Sequence, residues 1–325
     1  MTTLAPAAQA SAKPEKQHRK VTAYTRRQWI TGYLFLAPWL IGFLCFQLLP
    51  IVFTFFLSFT DYTAATEFKL GAFHMVGLAN YRNLFVDPAA LPSIANTLKF
   101  AAISIPLGLI VPLGLAVLVN SPRLLGTNIF RTLFYLPSVI PVVAGSIIFY
   151  GVLNAQSGWL NLVLKGIGIA NPPRWFTDPV WAGPALNLLA IWAVGNAMII
   201  LLAGLQGVPT ELYEAATVDG AGPFTRFFYI TVPMISPVIF YNITIGVILA
   251  FQYFVPALLI GTYNGNPQGS LMFFPTVFYR EGFVFSHMGY ASVLAMVIFF
   301  VTLAATGVLF FVGQRFVYYA GGESN

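Results

Sequence analysis

The chain has 325 residues, of which 58% are apolar and only 8% charged, with a mean hydropathy of +0.78. Ordinary soluble domains carry roughly 25% charged residues, so this composition excludes a water-soluble globule and places the chain in lipid. The net charge of +6 needs no nucleic-acid partner, because it follows from how basic residues are shared between the two sides of a membrane.

Residues 1–28 are rich in Ala, Gln, Lys and Arg and lack an apolar face. They read as a mobile cytoplasmic tail, with a surface helix on anionic lipid as the alternative. Six stretches free of Asp, Glu, Lys and Arg follow: 28–60, 100–122, 132–164, 179–210, 227–279 and 282–314. A hydrocarbon core of about 30 Å needs about 20 helical residues, so each stretch holds one span. The first apolar run is about twice the length of a cleaved signal core, which makes it a retained helix. Outer segments 61–93 and 155–178 carry aromatics and turn formers. The fifth stretch is long enough for two spans, but Gly261-Thr262-Tyr263-Asn264-Gly265-Asn266-Pro267-Gln268-Gly269 is a cluster of turn formers. One helix and then a loop is expected there.

A β-barrel would show alternating segments of about 10 residues, which these continuous runs are not. The expected organisation is an all-α membrane protein: a cytoplasmic tail 1–28, a six-helix domain 29–315 and a cytoplasmic tail 316–325. With the N-terminus inside, the inner segments hold Lys13, Lys16, Arg19, Lys20, Arg26, Arg27, Arg123, Arg131, Arg226 and Arg315. The outer ones hold Lys69, Arg82, Lys99, Lys165, Arg174 and Arg280, so the positive-inside rule favours both termini in the cytoplasm. The single cysteine, Cys45, rules out a disulfide framework.

Between spans four and five runs Pro209-Thr210-Glu211-Leu212-Tyr213-Glu214-Ala215-Ala216-Thr217-Val218-Asp219-Gly220-Ala221-Gly222-Pro223. Thr210 is expected to cap a helix whose first turn holds Glu211 and Glu214, which suits the positive end of the helix dipole. Ala215 and Ala216 continue the helix, and Gly220, Gly222 and Pro223 end it. Pro223 then sits in the first turn of a second short helix through Phe224 to Ile230, before Pro233 opens span five. From pattern alone this helix-turn-helix serves equally well as a connector lying on the membrane surface.

The segment resembles the EAA loop of ABC-importer permeases, written E-A-A, three residues, G, nine residues, I, one residue, L-P. Here Glu214-Ala215-Ala216 is followed at those spacings by Gly220, Ile230 and Val232-Pro233, with Val for the family's Leu. Leu205-Gln206-Gly207-Val208-Pro209 and Asp219-Gly220-Ala221 look like the carbohydrate, maltose-type branch. Ser58-Phe59-Thr60-Asp61-Tyr62, Val76-Gly77-Leu78-Ala79-Asn80-Tyr81, Asn96-Thr97-Leu98-Lys99-Phe100 and Gly158-Trp159-Leu160-Asn161 extend the likeness over nearly the whole chain.

The resemblance implies a type I ABC importer permease fold in a bacterial inner membrane, with loop 209–233 as the cytoplasmic coupling helix. Glu214, Ala215, Ala216, Asp219, Gly220 and Gly222 would engage an ATPase subunit, Glu214 making the polar contact and Gly220 the turn. The implied assembly is a second permease, commonly a different one, two ATPase subunits and an external binding protein that delivers a carbohydrate. ATP and magnesium would belong to the ATPase subunits, since no Lys here follows Gly and the P-loop pattern is absent. Overall likeness also suggests the branch that imports oligosaccharides such as those of alginate.

A sugar passage needs hydrogen-bonding groups and aromatic faces. Span four offers Leu189, Trp192, Ala193 and Asn196 at spacings that share one helix face, and span five offers Leu249, Ala250 and Tyr253 with Gln252 beside them. Their offsets from Glu214 are similar to those of sugar-contacting positions in maltose-type permeases. Asn196 and Gln252 serve equally as interhelical glue and the aromatics as packing. Tyr150 and Asn154 are weaker candidates.

A secondary transporter places ionisable groups within the membrane, and the six spans hold no Asp, Glu, Lys or Arg. A membrane enzyme needs a catalytic or metal constellation, whereas His18, His74 and His287 are scattered without ligand spacing. A channel would need no coupling loop. Glycerol phosphates and uronate oligosaccharides are carried by relatives and remain alternative cargoes.

Overall fold

The structure, a computed structural model, describes residues 23–64 and 73–317. Most of the expected N-terminal tail and all but the first residues of the C-terminal one therefore lie outside the described residues. The chain divides into two compact units, 1–53 and 54–325.

The first unit is helical from Ala23, so the helix begins ahead of the expected boundary at residue 29. α1 (Ala23–Phe43) passes through a π-helical turn, Leu44–Leu48, into α2 (Leu49–Leu57). Its large apolar side chains, among them Phe35 and Phe46, are exposed, as lipid-facing residues are.

In the second unit, α3 (Ala79–Val86) leads into α4 (Ala90–Asn120), which starts a full ten residues before the charge-free stretch and includes Lys99. At 1.5 Å per residue α4 is about 46 Å long and forms the axis of the unit. After it come α5 (Thr127–Val139), α6 (Val142–Val152), α7 (Trp159–Gly166), α8 (Pro179–Trp192) and α9 (Gly195–Gln206). The 209–233 region supplies α10 (Thr210–Val218), α11 (Pro223–Arg226) and α12 (Val232–Met234). The chain then forms α13 (Ser236–Phe251), α14 (Val255–Gly261), α15 (Phe274–Tyr279) and α16 (Met288–Gly313).

Helices over 26–57, 90–120, 236–261 and 288–313 are each long and apolar enough to cross a membrane. Spans three and four are instead bent pairs: α5 and α6 meet at 103°, α8 and α9 at 48°. The first break follows from Pro141, which holds Ile140 extended at φ −70°, ψ 128°. The second has no proline between Leu189 and Gly195. Its cause is packing: a Cβ on Gly195 would lie 2.8 Å from the Phe134 carbonyl oxygen and the Tyr135 Cα, so only glycine lets α9 approach α5 this closely.

Two cores cover opposite ends of α4. At its C-terminal end Ala116 and Val119 pack with Met198, Leu201 and Leu205 of α9 and with Val208 and Ile235, which flank the 209–233 loop. At its N-terminal end Ala90 packs with Phe274, Val277 and Leu294, while Phe100 meets Leu271 and Phe273. The turn-former cluster is a loop as expected, pinned by Asn96 Nδ2 donating to Gly269 O (2.9 Å) and by Phe274 N–H donating to Thr97 Oγ1 (3.0 Å).

Candidate functional site

The 209–233 loop forms the expected helix, turn and helix, with local corrections. Thr210 does not cap α10: Pro209 holds the cap position, extended at ψ 133°, without a side-chain bond, and Thr210 is already the first helical residue. The first turn consequently contains Glu211, and Glu214 sits one turn further on. At the other end the expected stop is realised. Gly220 has φ +77°, its N–H bonds Thr217 O (3.1 Å), and the Ala221 N–H reaches back to Ala216 O (2.8 Å), the paired pattern of a left-handed helix cap. Gly222 is extended and Pro223 occupies the first turn of α11. Pro233 does not open span five, since it lies within α12. Ile235 breaks that short helix and Pro237 stands in the first turn of α13.

Side chains that sequence patterning did not single out lock the two arms together. Arg226 donates to Thr217 Oγ1 (2.8 Å), and Tyr213 OH pairs with Thr231 Oγ1 (2.9 Å) beneath it. Each pair joins two elements across the Gly220 turn, where helical spacing relates nothing, which is why pattern alone missed them. Tyr213 and Ile230 also pack against the core at the end of α4, so the loop is attached to α9, α4 and α13 at once. Its outer surface stays open. Glu214, Ala215, Asp219 and Gly222 are exposed, and Glu214 makes no hydrogen bond or ion pair among the described residues. Val218 is 88% and Phe224 79% exposed on the same loop.

The passage candidates do not form two regular stripes. α8 ends at Trp192, so Leu189, Trp192, Ala193 and Asn196 straddle the break instead of sharing a face: Leu189 is buried, whereas Ala193 and Asn196 are exposed. Trp192 stacks at a tilt on Phe149 with centroids 5.6 Å apart. In span five Leu249 is 60% exposed and Ala250 4%, so they face different surroundings. α13 stops at Phe251, and Gln252 and Tyr253 belong to the joint before α14. Gln252 is exposed, while the Tyr253 ring lies 4.3 Å from Phe100 and its hydroxyl is buried without a hydrogen-bond partner. The candidates therefore gather at helix breaks on both sides of the 209–233 loop. Tyr150 stacks on Phe176, and Asn154 caps its own turn by accepting from Gln156 N–H and Ser157 N–H.

At the opposite end of α4 lies a polar cluster. Arg280 pairs with Glu281 (2.9 Å) and approaches Asp87 (3.9 Å), His287 Nδ1 meets Glu281 Oε2 at 3.0 Å, and Tyr290 OH donates to Asp87 Oδ2 (2.9 Å). It borders a cavity of about 520 Å³ that Thr60, Asp61 and Asn80 also line. Asn80 Nδ2 donates to Ser58 O and Thr60 O, and Gly289 N–H to Tyr62 O, which joins the first outer segment to the start of α16.

Residues 104–318 match the model of a protein family described as the binding-protein-dependent transport system inner membrane component. The chain is 36% identical over 92% of its length to the probable ABC transporter permease YesP of Bacillus subtilis, covering 95% of that protein. It is 32% identical over 84% of its length to the arabinooligosaccharides transport system permease AraP of the same organism, covering 85% of it. It is also 32% identical over 83% of its length to the lactose transport system permease LacF of Rhizobium radiobacter, covering 89% of it. Among solved structures, a bacterial ABC transporter involved in the import of the acidic polysaccharide alginate contains a chain that is 25% identical, with a TM-score of 0.74 over 90% of this chain and 98% of that one. In the alginate transporter complexed with its pentasaccharide-bound periplasmic protein, the values are 25% and 0.75, covering 89% and 96%.

Proposed function

The chain belongs to the binding-protein-dependent transport system inner membrane components, and from that premise we propose that it carries a carbohydrate, delivered by an external binding protein, under the drive of separate ATPase subunits. It is a multi-pass inner-membrane permease of the ABC transporter class. The observation that carries the finer reading is the 209–233 loop. It offers a bare carboxylate, Glu214, together with exposed Val218 and Phe224, while its base is built into the core. Such a surface suits a groove on a cytoplasmic ATPase that supplies a positive group to Glu214, and with the loop on that side the reading takes both chain termini as cytoplasmic.

The coupling is mechanical. Because Thr217, Arg226, Tyr213 and Thr231 clamp α10 to the segment that follows α11, a push on α10 moves α9 and α13 together. These are the two helices whose far ends are broken, at Ala193–Val194 and at Gln252–Phe254. The breaks let the inner halves swing while α8 and α14 stay packed in the outer core, and Trp192, Asn196, Gln252 and Tyr253 change their spacing as they do so. Amide and aromatic groups without charge fit a neutral saccharide, whose hydroxyls need partners and whose CH faces need rings. Relatives named for arabinooligosaccharide and lactose transport point the same way. The likeness to the alginate transporter favours a second reading, an acidic oligosaccharide, for which a partner subunit would have to supply the cation.

Purification from the native membrane tests this. We expect an ATPase, a second permease and a binding protein to accompany the chain, and the ligand of that binding protein to be a saccharide. Glu214→Ala should leave membrane insertion intact and lower ATP-dependent uptake at least tenfold. Recovery of the chain alone, with transport in vesicles that lack ATP, would overturn the reading.

A further inference from the structure

Beside the 209–233 loop lies a groove of about 1010 Å³. One side of it is α4 from Leu109 to Asn120 and the other is the segment from Pro223 to Val232. The stretch of α4 is 120 − 109 = 11 helical steps, about 16 Å at 1.5 Å per residue. That is the depth of one leaflet, half of a hydrocarbon core of about 30 Å.

The two ends of the groove differ in chemistry. Leu109, Ile110 and Leu113 line the deep end, and Asn120, Ser121 and Arg226 line the end beside the loop. Arg226 is half-buried and uses one of its N–H groups on Thr217. Arg123, two residues past Ser121 with its backbone N–H on Ser121 Oγ (3.4 Å), adds a second cation near this end. None of the lining residues is Asp or Glu. An apolar slot one leaflet deep, closed by a cation at the interface, has the dimensions and the polarity of a single phospholipid.

We propose that the groove holds one anionic phospholipid of the leaflet from which the loop emerges, with its acyl chain along α4 and its phosphate at Arg226, Asn120 and Ser121. The apolar walls accept any acyl chain, and the basic end, free of acid among its lining residues, selects the acidic headgroup. Because Arg226, Phe227 and Tyr213 belong to the clamped loop, the lipid fills the gap between the coupling element and α4 and resists its closure. This inference requires that the chain span a membrane, and is independent of the cargo.

The assembled transporter, with a photoreactive amino acid in place of Val117, is reconstituted into vesicles of phosphatidylcholine and phosphatidylglycerol at three to one and irradiated. The ratio of phosphatidylglycerol to phosphatidylcholine adducts is expected at about fivefold above the bulk ratio, the factor that one basic residue at the interface supplies. The enrichment should fall to the bulk ratio in Arg226→Gln, persist in Arg226→Lys, and in the parent chain decline when salt is raised to about 0.5 M. The salt series reads the same property without a variant, should Arg226→Gln not assemble. Adducts that follow bulk composition in the parent, or enrichment indifferent to both salt and Arg226, would overturn the proposal. So would an adduct to a peptide of another subunit, which would make the groove an interface.

Discussion

Gly220 stands at φ +77° with open space where a Cβ would point, so the strain of a substitution there is in the backbone alone. An alanine in the left-handed region costs about 1–2 kcal/mol, which corresponds to roughly a 5–30-fold faster opening of the cap. Gly220→Ala should therefore speed amide exchange over Thr217, Gly220 and Ala221 by that factor while the spans exchange as before. On the opposite face, Asp61 accepts the His74 N–H at 2.6 Å, and this bond above all holds its carboxyl below the usual 3.8, with burial acting the other way and the His74 side chain assisting. A carboxyl lowered in the folded state stabilises above its unfolded value, and that stability is lost as pH falls through the lowered one. The pairing of backbone 59–61 with 74–76 should persist at neutral pH and loosen only below about pH 3.8. Asp61→Asn should exchange the His74 amide faster at neutral pH and show no acid transition, as read by hydrogen exchange.

The charge-free stretches placed all six apolar segments, because charges in hydrocarbon are costly enough to leave a clear mark on composition. The shape of those segments was less legible. Pro141 is a local signal for the break between α5 and α6 that counting charge-free stretches passed over, as it did Asp178 before Pro179 at the start of α8, where Asp178 accepts the Val180 N–H. The break between α8 and α9 carries no local signal, since it is imposed by the contact of Gly195 with α5, and the stripe expected across it did not survive. Gly195→Ala should destabilise the solubilised protein by about 1–3 kcal/mol through forced backbone movement, whereas Gly246→Ala, with nothing within 4 Å of its Cβ, should not lower the melting temperature. Trp192→Ala removes the ring on Phe149 at the same break. With assembly retained, it should change the concentration dependence of uptake for large saccharides more than for small ones.

Among the described residues of the second unit, the side-chain hydrogen bonds of longest range sit at the end of α4 remote from the 209–233 loop. Tyr290 to Asp87 closes over 203 residues, Thr97 to Phe274 over 177 and Asn96 to Met272 over 176. No sequence period relates partners so far apart, so they were invisible in the sequence, whereas the loop motif was legible because its spacing is local. Contacts of this span also have an order in time. Asp87, Asn96 and Thr97 leave the ribosome long before their partners: the backbone groups bonded to Asn96 and Thr97 arrive with the 269–274 segment, and the Tyr290 hydroxyl that Asp87 accepts arrives only with the last span. A chain that stalls before Met288 lacks the Tyr290 hydroxyl on Asp87 and the Gly289 N–H on Tyr62 O, so the Asp87 carboxylate keeps only the Ala89 N–H and Arg280 as partners among the described residues. The cluster around Asp87 is thus completed only by the end of synthesis: chains truncated before α16 should have half-lives several-fold shorter than the complete chain in a pulse-chase, and Tyr290→Phe should shorten the lifetime of the complete chain in the same direction.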